Sequence, residues 1–239
     1  MAAACRVLVT GGGRGIGRAI ALRFARAGAR VAVAARTAGE VERVAREIDA
    51  AGGEGLALTL DVTDLDSVQR GLATALAAFD ETLDVLVNNA GVFSIQPFAE
   101  LSPATWYRTL AINLTGPFHV TLLALRGLER SARAHIFNIN SVAGRQAFPG
   151  NAAYCASKYG LRGLTDVLRL DLAAAKIRVS SVYPAATDTP IWDAIPGEWP
   201  RAVMNRPEDV AEVLWNAWQA PRETDVSDLD VPRPGATRA

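Results

Sequence analysis

The sequence predicts a doubly wound α/β fold: about seven mostly parallel strands in one sheet, with helices on both faces. Three observations carry that prediction. Short apolar runs alternate with longer stretches of helical periodicity along all 239 residues. The first runs, "VLVT" and "VAVAA", are apolar without alternation, as strands covered on both faces are. A glycine cluster, "TGGGRGIG" at residues 10–17, stands between the first run and the first helical pattern.

The elements follow in order. "CRVLVT" (5–10) reads as a strand, and after the glycines "IGRAIALRFARAG" reads as a helix ending near Gly28. "RVAVAA" (30–35) is a second strand, 40–51 a helix stopping before Gly52-Gly53, "GLALTL" (55–60) a third strand, 64–79 a helix, and "LDVLVNN" (83–89) a fourth strand. Ser102-Pro103 opens the next helix, with serine as N-cap and proline at the first helical position. "AHIFNIN" (134–140) is a fifth strand, about 152–175 a long helix, and "IRVSSVYP" (177–184) a sixth strand that stops at a proline. Pro207 starts a last helix, and "DVSDLDV" (225–231) fits an edge strand. Strands separated by helices imply right-handed crossovers and a parallel sheet. No linker or shift in composition divides the chain, so residues 1–239 read as one domain, with a tail expected to fray from about Pro232.

Composition narrows the function. Half the residues are hydrophobic, the formal charge is zero, and no basic run stands out, so nucleic acid is not an expected partner. Arginines 14, 18, 23, 26 and 30 fall around one predicted helix without interleaved aromatics and read mostly as a solvated face. The first residues lack the charged start and apolar core of a signal peptide, and no apolar run approaches the ~20 residues of a membrane span. Cys5, Cys155, His119 and His135 form neither a disulfide framework nor a metal-ligand cluster. The expectation is a cytoplasmic protein with reduced thiols and no metal.

The glycine turn has the spacing T-G-x-x-x-G-x-G, with Gly11, Gly15 and Gly17. Glycines there let the backbone turn sharply and let a pyrophosphate approach the helix N-terminus, which makes a dinucleotide site the favoured reading over a merely tight connection. An NAD site usually places an acid at the end of the second strand, but this chain has Ala34-Ala35-Arg36-Thr37 there, and the nearest acid is Glu40. Arg36 with Arg14 would clamp a 2′-phosphate, pointing to NADP(H); the alternative is two surface arginines.

The chemistry centres on "AAYCASKYG" (152–160). Tyr154 and Lys158 lie one helical turn apart and head a stripe continued by Leu161, Leu164, Leu168 and Leu172, so Lys158 points inward. The chain has twenty-three arginines and only two lysines, Lys158 and Lys176, yet a lysine stands beside this tyrosine. An ammonium there would stabilise a phenolate and make the tyrosine a better proton donor near neutral pH. Lysine, unlike arginine, can also release a proton.

Taken together, T-G-x-x-x-G-x-G at 10–17, "DVT" at 61–63, "NNAG" at 88–91, Asn113, Ser141 and "YCASK" at 154–158 resemble the short-chain dehydrogenase/reductase family, in its order and approximate spacing, from residue 5 to about 231. The resemblance implies a Rossmann fold and assigns roles. Tyr154 would be the acid/base, and Lys158 would bind the nicotinamide ribose and lower the tyrosine pKa. Ser141 would hydrogen-bond the substrate oxygen, and Asn113 would hold a water linking Lys158 to solvent. Asp61, with Val62, would contact the adenine, and Asn88, Ala90 and Gly91 would line the ribose channel. Gly11, Arg14, Gly15, Ile16, Gly17 and Arg36 complete the pyrophosphate and adenosine end. Pro184, Thr187 and Thr189 would meet the carboxamide, although Pro184 is followed by Ala185 where the family commonly has glycine.

Three segments should border the substrate: 92–98, 142–150 and the lid at 191–199. They offer Phe93, Ile95, Phe148, Ile191, Trp192, Ile195 and Trp199, with Arg145 and Gln146 as polar contacts, which suits a moderately apolar carbonyl or alcohol. The same aromatics would equally pack a loop or a subunit interface. Cys155 reads as a small packing residue. The leading reading is an NADP(H)-dependent oxidoreductase of the carbonyl reductase or alcohol dehydrogenase type. The alternatives are a non-catalytic dinucleotide sensor on the same fold, and an isomerase or dehydratase using the same tyrosine. The resemblance also implies a homodimer or homotetramer formed through the fourth and fifth predicted helices.

Overall fold

The computed structural model describes residues 4–233 and Gly235. Seven strands form one sheet: β1 (Arg6–Thr10), β2 (Arg30–Ala35), β3 (Glu54–Thr59), β4 (Val85–Asn88), β5 (His135–Ile139), β6 (Arg178–Pro184) and β7 (Asp228–Val231). Their order is β3-β2-β1-β4-β5-β6-β7, and every neighbouring pair is parallel. The order reverses between β1 and β4, where a cleft opens at the carboxyl ends of the strands. The edge strand expected at 225–231 is the short β7, parallel to β6.

The main helices are α1 (Gly15–Ala25), α2 (Ala38–Ala50), α3 (Leu65–Ala78), α4 (Pro103–Leu110), α5 (Gly116–Leu128), α6 (Ala152–Asp171) and α7 (Pro207–Gln219). Alternate residues of the buried strands feed two separate cores. Val7, Val9, Val31 and Val33 pack with α1, α2 and α7, including Phe24, Ile48 and Trp218. Leu8, Ala32, Ala34 and Leu86 pack on the other face with Leu72, Val120 and Leu128 of α3 and α5. The unbroken apolar runs of the strands are therefore two interleaved faces, each covered.

Sequence and structure differ in one helix. The helix opened by Ser102, whose hydroxyl accepts from the Thr105 amide, is divided by a π-helical turn over Ala111–Thr115. That turn contains Asn113. Such turns widen a helix by one residue and re-aim its side chains.

A chain of buried amides seats α5 and α6 on the sheet. Asn88 and Asn138 stand opposite each other in the β4–β5 register. Asn88 Nδ2 donates to Asn138 Oδ1 (2.8 Å) and to Thr121 Oγ1 of α5 (2.9 Å). Asn138 Nδ2 donates to Thr165 Oγ1 of α6 (2.9 Å). Each bond removed would leave a buried partner unpaired, at a cost of roughly 1–3 kcal/mol. The helix carrying Tyr154 and Lys158 is thus keyed to the strands whose ends form the cleft. Pro232 and Arg233 follow β7, while 234 and 236–239 of the tail expected to fray lie outside the described residues.

Candidate active site

A cleft of about 530 Å³ runs along the carboxyl ends of the strands. At one end it is floored by the glycine turn. Gly15 holds φ 54, a left-handed conformation that glycine adopts without strain. Gly17 does not reach the cleft; a Cβ there would lie 2.4 Å from the Gly11 carbonyl oxygen, so its part is to let α1 pack against the turn. At α1 the N-cap residue Arg14 makes no side-chain cap, the first turn holds no acid, and Arg14, Gly15 and Ile16 line the cleft. Uncapped amides at a helix N-terminus facing a cleft are a site for phosphate oxygens, and a pyrophosphate group therefore fits the residues present.

Arg14, Ile16, Arg36, Asp61 and Val62 line the same end. Arg14 Nη1 lies 3.9 Å from Glu40 Oε1, and Arg36 has its charge near Asp61. Burial acts to raise the Asp61 pKa. Hydrogen bonds from the Thr63 amide (2.9 Å) and hydroxyl (2.7 Å), with the Arg36 charge, outweigh it and hold the carboxyl below the usual range.

At the end of β4 the structure corrects the sequence reading. Asn88 is buried in the amide chain and does not line the cleft. Its neighbour Asn89 does, and its Nδ2 donates to the Thr10 (3.0 Å) and Gly11 (3.1 Å) carbonyls, tying β4 to the glycine turn. Thr10 Oγ1 accepts from the amides of Asn89 and Ala90. Ala90 and Gly91 also line the cleft. Strand alternation was the missed signal: in "VNN" adjacent residues face opposite ways.

Ser141 lies two residues past β5, partly open to the cleft, with Oγ accepting from the Ala143 amide (3.1 Å) and its hydroxyl hydrogen left to donate. Tyr154 and Lys158 line the cleft from α6. Lys158 is 5% exposed, and its Nζ donates to the Ile139 carbonyl at 2.8 Å, with no carboxylate beside it among the described residues. Burial alone pushes its pKa down to about 8. Burial pushes Tyr154 up to about 12, while a hydrogen bond with the Ser141 side chain acts the other way. The lysine ammonium, 5.6 Å from the tyrosine ring centre, does not offset that burial. In this geometry burial governs both groups, acting to raise the phenol and to lower the ammonium.

Asn113 is buried and fully engaged. Its Nδ2 donates to the Val92 carbonyl (2.9 Å) and Ser157 Oγ (3.1 Å), and its Oδ1 accepts from the Val92 amide (2.8 Å). Ser157 Oγ in turn donates to the Tyr154 carbonyl (2.7 Å). The side chain is a strut between the β4 loop and α6.

Pro184, Thr187 and Thr189 line the cleft after β6. Ala185 keeps the backbone in place, its amide donating to the Val231 carbonyl of β7 at 2.9 Å. Phe148 and Trp192 line the substrate side. Arg145 does not. Its guanidinium reaches Asp228 (2.7 Å) and Asp230 (2.6 Å), two residues on one face of β7, and stacks 3.5 Å over the Tyr183 ring. It fastens the edge strand, and its expected substrate contact is withdrawn. Arg233, beyond β7, joins the cleft wall instead. Among the described residues no helix is long and apolar enough to cross a membrane, and no cluster of metal-ligating side chains is present.

Comparison with known proteins agrees with this architecture. Residues 6–198 match the family model described as short chain dehydrogenase. A sepiapterin reductase of Chlorobaculum tepidum is 36% identical over 230 residues, covering 93% of each chain. The solved structure of an alcohol dehydrogenase from the archaeon Thermococcus sibiricus, complexed with 5-hydroxy-NADP, superposes with a TM-score of 0.90 at 26% identity over 99% of both chains. A metagenomic short-chain oxidoreductase in complex with NADP matches with a TM-score of 0.81 at 34% identity, over 95% of this chain and 96% of the other.

The buried lysine yields a stability prediction. Its folded pKa of about 8 lies below the ordinary 10.5, so between those values the unfolded chain binds more protons. Wild-type stability then gains as pH rises through that window, because the cost of burying the charge is relieved. Lys158→Met has no such cost. Its stability relative to wild type, measured by urea unfolding, should be about 2–3 kcal/mol more favourable at pH 7 than at pH 10. An equal difference at both pH values would show that Lys158 is not desolvated.

Proposed function

The chain belongs to the short-chain dehydrogenase family, a family of oxidoreductases, and from that premise we propose that it is an NADP(H)-dependent carbonyl reductase or alcohol dehydrogenase. The observation that carries the reading is the convergence of Ser141, Tyr154 and Lys158 on one cleft that also holds an uncapped helix N-terminus.

Arg14 and Arg36 would hold the 2′-phosphate, the amides at the start of α1 the pyrophosphate, Asp61 and Val62 the adenine, and Ala90 with Gly91 the ribose channel. Lys158 would hold the nicotinamide ribose hydroxyls, and Pro184, Thr187 and Thr189 the carboxamide. The bound cofactor supplies or accepts the hydride. The protein handles the proton. Ser141 donates a hydrogen bond to the substrate oxygen, and Tyr154, neutral at physiological pH, passes its phenolic proton to that oxygen as the carbonyl is reduced. The C=O π bond breaks, C–H and O–H bonds form, and the phenolate left behind faces the Lys158 ammonium. Lys158 can then return a proton, since burial has brought its pKa near neutrality. Oxidation of an alcohol runs the same steps backwards.

Substrate contacts are assigned to Ser141, Tyr154, Phe148 and Trp192. The exposed apolar side chains of α5 and α6, Phe118, Leu122, Tyr159, Val167 and Leu170, support self-association through those helices into a dimer or tetramer.

Two measurements test the assignment. NADPH consumption across a panel of carbonyl compounds should fall at least about 100-fold in Tyr154→Phe; a variant that matches wild type removes the tyrosine from the chemistry. Arg36→Ala should reduce the preference for NADPH over NADH by about 10-fold or more in binding. An unchanged ratio would remove Arg36 from the phosphate site.

A further inference from the structure

Next to the acid/base, the cleft is walled by rings. Phe93 meets Tyr154 edge-on with centroids 4.7 Å apart, and meets Trp192 at 5.4 Å and 72°. Trp192 is backed by Trp199 at 4.8 Å. Both indole N–H groups are consumed within the lid, Trp192 Nε1 by the Thr187 carbonyl (2.9 Å) and Trp199 Nε1 by that of Ile195 (3.1 Å). The wall therefore presents ring faces and edges with no donor to spare.

Two amide side chains on this side are also tied to the protein. Asn151 Nδ2 donates to the Pro149 carbonyl, and Asn140 is bonded to Ser181 Oγ and to the Ser141 amide. The acids in the described lining are Glu40 and Asp61, one against the glycine turn and the other beside Arg36, both at the adenosine end. Among the described residues, none on the substrate side offers a carboxylate to an amino-bearing or cationic ligand.

The wall is also held rigid. Thr187 and Asn205 form a parallel bridge at the stem of the lid, where the Asp188 amide bonds the Asn205 carbonyl (2.8 Å) and Asn205 Nδ2 the Val231 carbonyl (3.0 Å). Across the lid, Arg201 clasps Asp188 (3.0 Å) and Asp193 (2.5 Å), on either side of Trp192. Rings held in advance bind a flat partner at a reduced ordering cost.

We infer that the substrate is a ketone or aldehyde, or the corresponding alcohol, that bears no cationic group and carries a flat aromatic or conjugated ring beside the reacting carbon. Ser141 and Tyr154 take its oxygen while the ring lies against Phe93 and Trp192. The inference rests on the oxidoreductase reading and narrows it from an apolar carbonyl to a planar one.

The test is a matched pair, phenylacetone and cyclohexylacetone, whose carbonyls differ little in intrinsic reactivity. With NADPH, kcat/KM should favour the aromatic ketone by about 10-fold, the upper range of one aromatic contact beyond its area. Trp192→Leu should bring the ratio near 1, and Trp192→Phe should keep most of it. Should Trp192→Leu fail to fold, the wild-type ratio and Trp192→Phe decide. Equal rates on the two rings, or a ratio unmoved by Trp192→Leu, would overturn the planar-substrate inference alone. So would no turnover of either ring while other carbonyls are reduced. No turnover of any carbonyl would overturn the oxidoreductase reading and this inference with it.

Discussion

The hydrogen bond from Lys158 Nζ to the Ile139 carbonyl organises the working end of the sheet. An ammonium taken out of water needs compensation, and here it receives one strong dipole at 2.8 Å and, among the described residues, no counter-charge. That imbalance lowers its pKa to about 8 and leaves it ready to exchange a proton. It also requires that α6 stand in one position against β5, because a small shift would strand the charge. The amide chain through Asn88, Asn138 and Thr165 fixes that position from below the site, and the Asn113–Ser157–Tyr154 bonds fix it from the cleft side. Arginine could supply the charge but not the exchange, which accounts for a lysine in a chain that otherwise uses arginine.

Much of this was legible in the sequence because it is local. The glycine turn, the Tyr154–Lys158 spacing, the proline that ends β6 and the serine that caps α4 each follow from a few adjacent residues. The parallel, two-sided sheet followed from the alternation of elements. What was not legible depends on partners far away in the chain. Arg145 is a plausible substrate contact until β7, more than eighty residues later, presents Asp228 and Asp230 to it. Asn88 and Asn89 are indistinguishable as letters, yet one faces the helices and the other the glycine turn. The π-helical turn at Asn113 carries no sequence mark, and the pKa shifts of the tyrosine and the lysine need the depth of both groups.

The two ends of the cleft also differ in how much a sequence can say about them. The dinucleotide end is built from backbone: a turn, a helix start and strand ends whose chemistry the fold itself dictates. The other end is built from side chains on three loops, and its character emerges only when Phe93, Trp192 and Trp199 are seen to stack. The clasp of Arg201 on Asp188 and Asp193 belongs to the same category, since it joins residues that no motif connects. Class follows from the first end and selectivity from the second.

The most direct test of the role given to Lys158 is the pH dependence of kcat/KM for carbonyl reduction at saturating NADPH. If the ammonium is required and burial places its pKa near 8, the profile is level through neutral pH and falls as pH rises past about 8. In Lys158→Arg, which keeps the charge but cannot exchange the proton, kcat/KM falls at every pH and the residual rate shows no break near pH 8. A wild-type profile level to pH 10, or the same break persisting in Lys158→Arg, would contradict the account.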